Sequence, residues 1–172
     1  NNEFNNDATP RANPQIYNTT FCGDPDRNEG AESVRGILFR RGTAVTFRNF
    51  LITGFKTTGM QLDGATTIAQ VNNGTTQIGS GVIWGMAVPA HSSVVPFINS
   101  GRFPNVVLGQ DGGLSSACFN HENPNFQPTS VATLAGGQLT PVQPPNDGFF
   151  SPVTFIGAVA PAPAENWMAG WT

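Results

Sequence analysis

The sequence predicts an all-β chain folded as a short parallel β-helix, a β-solenoid of about three coils with an irregular C-terminal cap. Three observations carry that prediction. The stretch Phe47-Arg48-Asn49-Phe50-Leu51-Ile52-Thr53-Gly54 reads apolar, any, Asn, any, any, apolar, any, Gly. The same pattern occurs at residues 16–23 and, with Ser in place of Asn, at 78–85, so the starts are evenly spaced (47 − 16 = 31; 78 − 47 = 31). Self-similarity at a fixed period of this size marks a stacked architecture. Second, charged residues make up only 11%, with 20 Gly and 14 Pro, a composition suited to short strands and tight turns rather than helices. Third, 13 Phe and 3 Trp supply too much apolar surface for a disordered chain, and 172 residues are enough for one domain with a sizeable core. An antiparallel sandwich is the competing architecture; three matches at several positions weigh against it.

Taken in order, residues 1–14 are polar, contain Pro10 and Pro14, and read as an arm or an incoming connection. Residues 15–22 form the first strand. Residues 24–35 are the most charged stretch and read as a loop. Residues 36–42 form a short strand ending in a turn, the central copy follows, and 59–64 resemble 36–42 as a second strand of that kind. The corners between these strands vary in a compensated way. Gly23 to Gly36 is longer than Gly54 to Gly59 (36 − 23 = 13; 59 − 54 = 5), whereas Gly36 to Phe47 is shorter than Gly59 to Ile78 (47 − 36 = 11; 78 − 59 = 19). One corner shortens by eight and the next lengthens by eight, which is how corners vary around stacked strands of fixed face.

Within a copy, positions one and three share a parity, and the apolar residue at position six (Phe21, Ile52, Ile83) has the other. Each strand must therefore bend between them. Asn18 and Asn49 sit at the bend, where Asn tolerates a left-handed backbone and bonds to nearby peptide groups. Stacked, they form an Asn ladder between coils, and Ser80 ends it. Gly23, Gly54 and Gly85 close the strands, where positive φ suits Gly. Coils thus cover 15–85, and 86–172 form a capping region of the same domain. Past Gly85 the repeat is lost: residues 88–109 are broken by Pro89, Pro96 and Pro104, with one short helix expected within 92–100. Residues 119–128 and 140–148 read as loops, and 130–139 as a strand or turn. The aromatic-rich tail to Thr172 is suited to covering the last coil.

Net charge is −3 with no basic cluster, which argues against nucleic acid as a partner. No apolar run reaches the roughly 18 residues of a spanning helix. The chain begins Asn1-Asn2-Glu3 without Met or a signal sequence and reads as a processed or partial product. Cys22 and Cys118 are either one disulfide or two small buried hydrophobes. A single Lys, Lys56, together with the repeat and the Gly/Asn/Thr richness, favours an extracytoplasmic protein.

Candidate chemistry is sparse, and the expectation is a chain that is not an enzyme and holds no cofactor or metal. Asp63 is the acid nearest the repeat strands; Asp24, Asp26, Glu29 and Glu32 fall in one loop where solvated charge is the default. Asp24-Pro25-Asp26 lacks the ligand count of a calcium loop. His91 and His121 lack zinc spacing. No nucleophile elbow or phosphate loop is present. Arg35, Arg40, Arg41 and Arg48 cluster in sequence; they read as a solvated face or as an outward basic strip able to meet anionic glycan or acidic protein. Trp167 and Trp171 read as core capping, with stacking on a sugar or partner as the alternative.

Residues 10–18 (PRANPQIYN), 36–43 (GILFRRGT), 50–55 (FLITGF) and the ending FIGAV…WMAGWT together resemble one family of secreted or cell-surface bacterial proteins whose chains form a parallel β-helix. In that family the motifs lie in the C-terminal portion, after further coils, so the resemblance implies the C-terminal part of a longer precursor. It supplies no catalytic residues. If residues 15–22 are the first strand, Ile16, Tyr17 and Phe21 lie at an open edge, an aggregation liability unless covered by missing N-terminal coils, the arm 1–14 or a partner protein. The expectation is a non-enzymatic structural or binding module of the bacterial envelope, periplasmic, cell-surface or secreted: an accessory subunit docked on the extracytoplasmic face of a larger, membrane-associated assembly. A carbohydrate-active β-helix that binds or cleaves polysaccharide is the alternative, by fold analogy.

Overall fold

The computed structural model describes residues 4–24, 34–120, 122–129 and 139–170. Among them, seven strands form two parallel sheets. The first contains β1 (Gln15–Cys22), β3 (Thr46–Thr53), β5 (Gln77–Trp84) and β7 (Val106–Leu108) in that spatial order; the second contains β2 (Arg35–Phe39), β4 (Thr58–Leu62) and β6 (Val88–Ala90). The chain alternates between the sheets, so each turn around the axis lays one strand on each, the winding of a parallel β-helix. The register keeps the even step of the sequence: Ile16 pairs with Phe47 and Phe47 with Ile78, while Phe21, Ile52 and Ile83 stack in a second column that Leu108 continues.

These columns fill the space between the sheets. Phe47, Phe50, Ile52, Ile78 and Ile83 are fully buried in one cluster with Phe39, Met60 and Leu62 of the second sheet. Phe47 and Phe50 stack with ring centroids 4.4 Å apart at 12°. The stack fits because the next rung offers Gly81, where any Cβ would collide with the Phe50 ring.

The bend in each strand is a left-handed residue. Asn18 (φ 54°), Asn49 (φ 58°) and Ser80 (φ 53°) all occupy it. This lets Phe47 and Phe50 both face inward although they are three residues apart. It also turns Leu51 outward, where it joins a second buried cluster with Val82, Leu139 and Ile156.

Four features correct the sequence-based expectation. The repeat does not end at Gly85. Asn105 (φ 56°) repeats the left-handed bend, and β7 adds a fourth rung with Gly81, Val82 and Ile83 opposite Val106, Val107 and Leu108. That rung arrives early (105 − 80 = 25, against 80 − 49 = 31 for the rung before) and its Gly109 comes one position early, so a fixed period passes over it. Second, Pro89 lies inside β6, tolerated because β6 is an edge strand. Third, the long corner before β5 holds a helix, α1 (Ala65–Asn72). It is free of Gly and Pro and lies between Gly64 and Gly74, both at positive φ, with Val71 in the main core and Ile68 packed against it. A global composition that disfavours helix says little about one such window. The short helix expected within 92–100 is α2 (Val95–Asn99).

Fourth, the C-terminal segment sits differently from its description, while the end of the N-terminal segment takes the second of its two expected forms, an incoming connection. The Ala44 N–H donates to the Ala12 carbonyl (3.0 Å) and the Thr46 N–H to that of Pro14 (3.0 Å), so residues 12–14 are the incoming part of the first rung. The described C-terminal residues lie along the side of the first sheet. The Gly157 N–H donates to the Asn49 carbonyl (3.0 Å) and the Ala158 N–H to Thr20 Oγ1 (3.0 Å). The expected strand or turn at 130–139 falls, apart from Leu139, outside the described residues.

Candidate functional site

The left-handed column is where the two halves of the molecule meet. Asn49 Nδ2 donates to Asn18 Oδ1 (2.9 Å) and to the Val142 carbonyl (2.8 Å), and Asn49 Oδ1 accepts from the Val142 N–H (2.8 Å). Asn18 Nδ2 in turn donates to the carbonyls of Phe155 (2.8 Å) and Gly157 (3.2 Å). The buried Ser80 hydroxyl, at the next position of the column, has no hydrogen-bond partner. Cys22 and Cys118 are joined in a disulfide with Cα atoms 6.2 Å apart. It ties the end of β1 to the 3₁₀ turn Ser116–Phe119, whose Phe119 ring occupies the space a Cβ on Gly54 would need.

The four arginines singled out by sequence are dispersed. Arg35 lies on the second sheet and its Nε donates to Gln61 Oε1 of the next rung (2.7 Å). Arg40 and Arg41 form the turn after β2, Arg41 at φ 56°. Arg48 alone lies on the first sheet. In register it stands between Tyr17 on the rung before and Gly79 on the rung after. Its Nη2 donates to Gln77 Oε1 (3.3 Å). Burial pushes the Arg48 pKa down from its ordinary value, partly opposed by the neighbouring Tyr17 hydroxyl; an arginine so shifted stays charged at neutral pH. The room for the guanidinium comes from Gly79, since a Cβ there would collide with Arg48 Nη1.

Two features beside Arg48 escaped the sequence reading. Arg48 shares an open depression of about 560 Å³ with Ser100, Gly101, Arg102 and Pro104. On the other side, Tyr17 meets Phe150 edge-on at 5.2 Å, and Phe150 meets Phe149 at 5.0 Å; Phe149 is 84% exposed. An aromatic strip and a pair of arginines therefore flank one stretch of outer sheet. Only the register between rungs connects Tyr17, Arg48 and Gly79, and nothing local announces Arg102 or Phe150 as their neighbours.

The remaining candidates are scattered. Ile16, Tyr17 and Phe21 are all partly exposed on β1, the outer strand of its sheet; Ile16 and Phe21 pack against the core from above, together with Ile37 of β2. Asp63 is exposed at the start of a corner. Asp26, Glu29, Glu32, His121 and Trp171 lie outside the described residues, and His91 bonds to Ser93 in a local turn (Nδ1 to Oγ, 3.0 Å). Trp167 is 60% exposed with its indole N–H on the Ala158 carbonyl (2.8 Å). Among the described residues no group of three His, Cys, Asp or Glu could hold a metal, and no helix is long and apolar enough to cross a membrane.

No curated protein and no solved structure matches the chain. A family model described as a pectate-lyase-like beta helix domain matches residues 1–93. That span runs through the first three rungs of both sheets. With more than half of its length matched and the winding it displays, the chain belongs to the pectate-lyase-like β-helix domain family.

Proposed function

We propose that the protein is a carbohydrate-binding β-helix that holds a polysaccharide along the outer face of its first sheet. The observation that carries this reading is the aromatic strip Tyr17–Phe150–Phe149 one rung above Arg48. Flat apolar rings beside hydrogen-bonding groups suit the mixed apolar and hydroxyl faces of a sugar ring. Membership of the family supports it by analogy of fold. The disulfide supports a location outside the reducing cytosol. Binding without cleavage is the form of the reading that needs no catalytic group.

The test is calorimetric titration of the intact chain with a panel of neutral and acidic polysaccharides. At least one should bind, and Tyr17→Ala should weaken it roughly tenfold, about 1.4 kcal/mol. Absence of binding across the panel, or an affinity indifferent to Tyr17→Ala, would overturn the reading.

A second reading, an accessory subunit docked through its first rung on an extracytoplasmic assembly, rests on a different observation. Ile16, Phe21 and Ile37 cover the core only in part, and β1 and β2 are the outer strands of their sheets among the described residues. Such an edge favours a cover. Native mass spectrometry of the chain from its source separates the two: a stoichiometric complex disrupted by Ile16→Arg favours docking, and a monomer rejects it.

A further inference from the structure

The corner that carries α1 ends in Asn73-Gly74-Thr75, and Asn73 is the one Asn of the chain that Gly follows. A following glycine leaves its own nitrogen least hindered, having no side chain and a freely turning backbone. The space that a Cβ on Gly74 would enter is empty, and Asn73 and Thr75 are both exposed. The Asn73 carboxamide is held by its oxygen. Oδ1 accepts from the Thr75 hydroxyl (2.7 Å) and from the Thr75 N–H (3.0 Å). Two donors on one carbonyl oxygen polarise its carbon and stabilise negative charge that develops on the oxygen. Asn18 and Asn49 contrast with this, since their Nδ2 groups are bound within the ladder. The Gly74 N–H donates to the Val71 carbonyl (3.1 Å), a bond of the last helical turn, where fraying begins. The Thr75 clamp spans only two residues, so it can outlast that opening.

We propose that Asn73 is a self-modification site that deamidates through a cyclic imide, with Thr75 supplying the donors that hold the carboxamide oxygen. The Gly74 nitrogen attacks Asn73 Cγ when the last turn opens. The N–Cγ bond forms, the Gly74 amide proton passes to hydroxide, and negative charge gathers on Oδ1 between the two Thr75 donors. The Cγ–Nδ2 bond then breaks, and Nδ2 leaves as ammonia with a proton taken from water. Water reopens the ring at Cγ to give aspartate, or at the main-chain carbonyl carbon of Asn73 to give isoaspartate. In sum one water is consumed and one ammonia released, with no oxidation or reduction. Either product adds a carboxylate and takes the chain from −3 to −4 (−3 − 1 = −4). Isoaspartate also inserts a methylene into the main chain. The insertion falls between Val71, part of the main core, and the Thr76 N–H that donates back to the Gln70 carbonyl (2.8 Å). The end of α1 loosens there, and with it the Asn72 carbonyl that holds Arg102 Nη2 (2.7 Å).

The intact chain is incubated in mildly alkaline buffer and sampled over time by peptide mapping with mass spectrometry. Isoaspartate is counted by enzymatic methyl transfer from S-adenosylmethionine. We expect Asn73 to convert before every other Asn, roughly tenfold faster than the next, and to yield isoaspartate, which direct hydrolysis of the carboxamide cannot give. Thr75→Ala should slow the folded chain roughly threefold, less than the loss of a donor in a buried oxyanion hole because water competes at an exposed site. Thr75→Ser keeps both donors and should restore the rate, and thermal unfolding confirms that both variants fold. In denaturant the gap between Thr75→Ala and the unsubstituted chain should vanish, since the clamp is then lost from both. Another Asn reacting first, or aspartate formed without isoaspartate, overturns the site. An unchanged or faster rate in folded Thr75→Ala overturns the part given to the hydroxyl. A Thr75 dependence that persists in denaturant is a property of the local sequence and overturns its assignment to the folded corner.

Discussion

The first sheet and the C-terminal segment that lies along it are held by opposite means. In the sheet, β1, β3 and β5 are joined through backbone ladders in one constant register, and identical positions stack into columns of Phe and Ile. In the segment 139–170 no strand occurs among the described residues. It is held where side chains of the sheet reach its backbone, from Asn18, Asn49 and Thr20, by a single peptide hydrogen bond from Gly157 to Asn49, and by Leu139 and Ile156 packed on Leu51 and Val82. Backbone ladders leave a period in the sequence because every rung must satisfy the same pairing. Side-chain clasps leave none, since one Asn can fix a loop of any composition. Stability in the sheet is therefore spread over many equivalent contacts, whereas in the segment it is concentrated in a few.

The comparison breaks most sharply at Phe50. Phe50→Ala removes a fully buried ring from between Phe47 and Gly81 and should cost about 3–5 kcal/mol, read as a lower midpoint in chemical denaturation. The whole solenoid should respond in one transition. A loss below about 1 kcal/mol would mean that the column collapses to fill the space.

Asn49→Ala acts on the clasp. It deletes three side-chain hydrogen bonds, to Asn18 and to both peptide groups of Val142, and leaves Ala at φ 58°. The expected cost is about 2–3 kcal/mol. Limited proteolysis should now cut within 139–170 well before the sheet is touched. Simultaneous cleavage of both regions would show that they form one cooperative unit.

The smallest effect should come from Ser80→Asn. The hydroxyl there is buried without a partner, and Asn tolerates the left-handed backbone of that position better than Ser. Continuing the ladder by one amide should stabilise by about 1 kcal/mol, measured as a raised denaturation midpoint. Destabilisation would show that the column has no room for a carboxamide.

Much of the fold was legible because the three longest strands share one step, and because Asn at the bend announces its left-handed backbone. The fourth rung was not, since its corner is shorter by six (31 − 25 = 6) and a period search assumes constancy. The helix α1 was hidden inside a corner counted only by length. For the candidate site the difficulty is geometric. Arg35, Arg40, Arg41 and Arg48 are neighbours along the chain, yet winding sends them to two sheets and a turn. The true neighbours of Arg48 are Tyr17 and Gly79, each a full rung away along the chain (48 − 17 = 31; 79 − 48 = 31). In a solenoid, proximity follows the rung rather than the chain, so side-chain constellations become readable only once the register is known.

The bond between Cys22 and Cys118 has a mechanical consequence. Its sequence separation is 96, a span that includes β2 through β7, and it closes them into a covalent ring. A pull applied to the two ends of the chain passes through the sulfur bridge and bypasses the coils inside it. Force can peel away β1 and the trailing segment, but the inner rungs carry none of the load until the bridge is reduced. The redox state of the surroundings therefore sets how much of the helix can be unwound by traction.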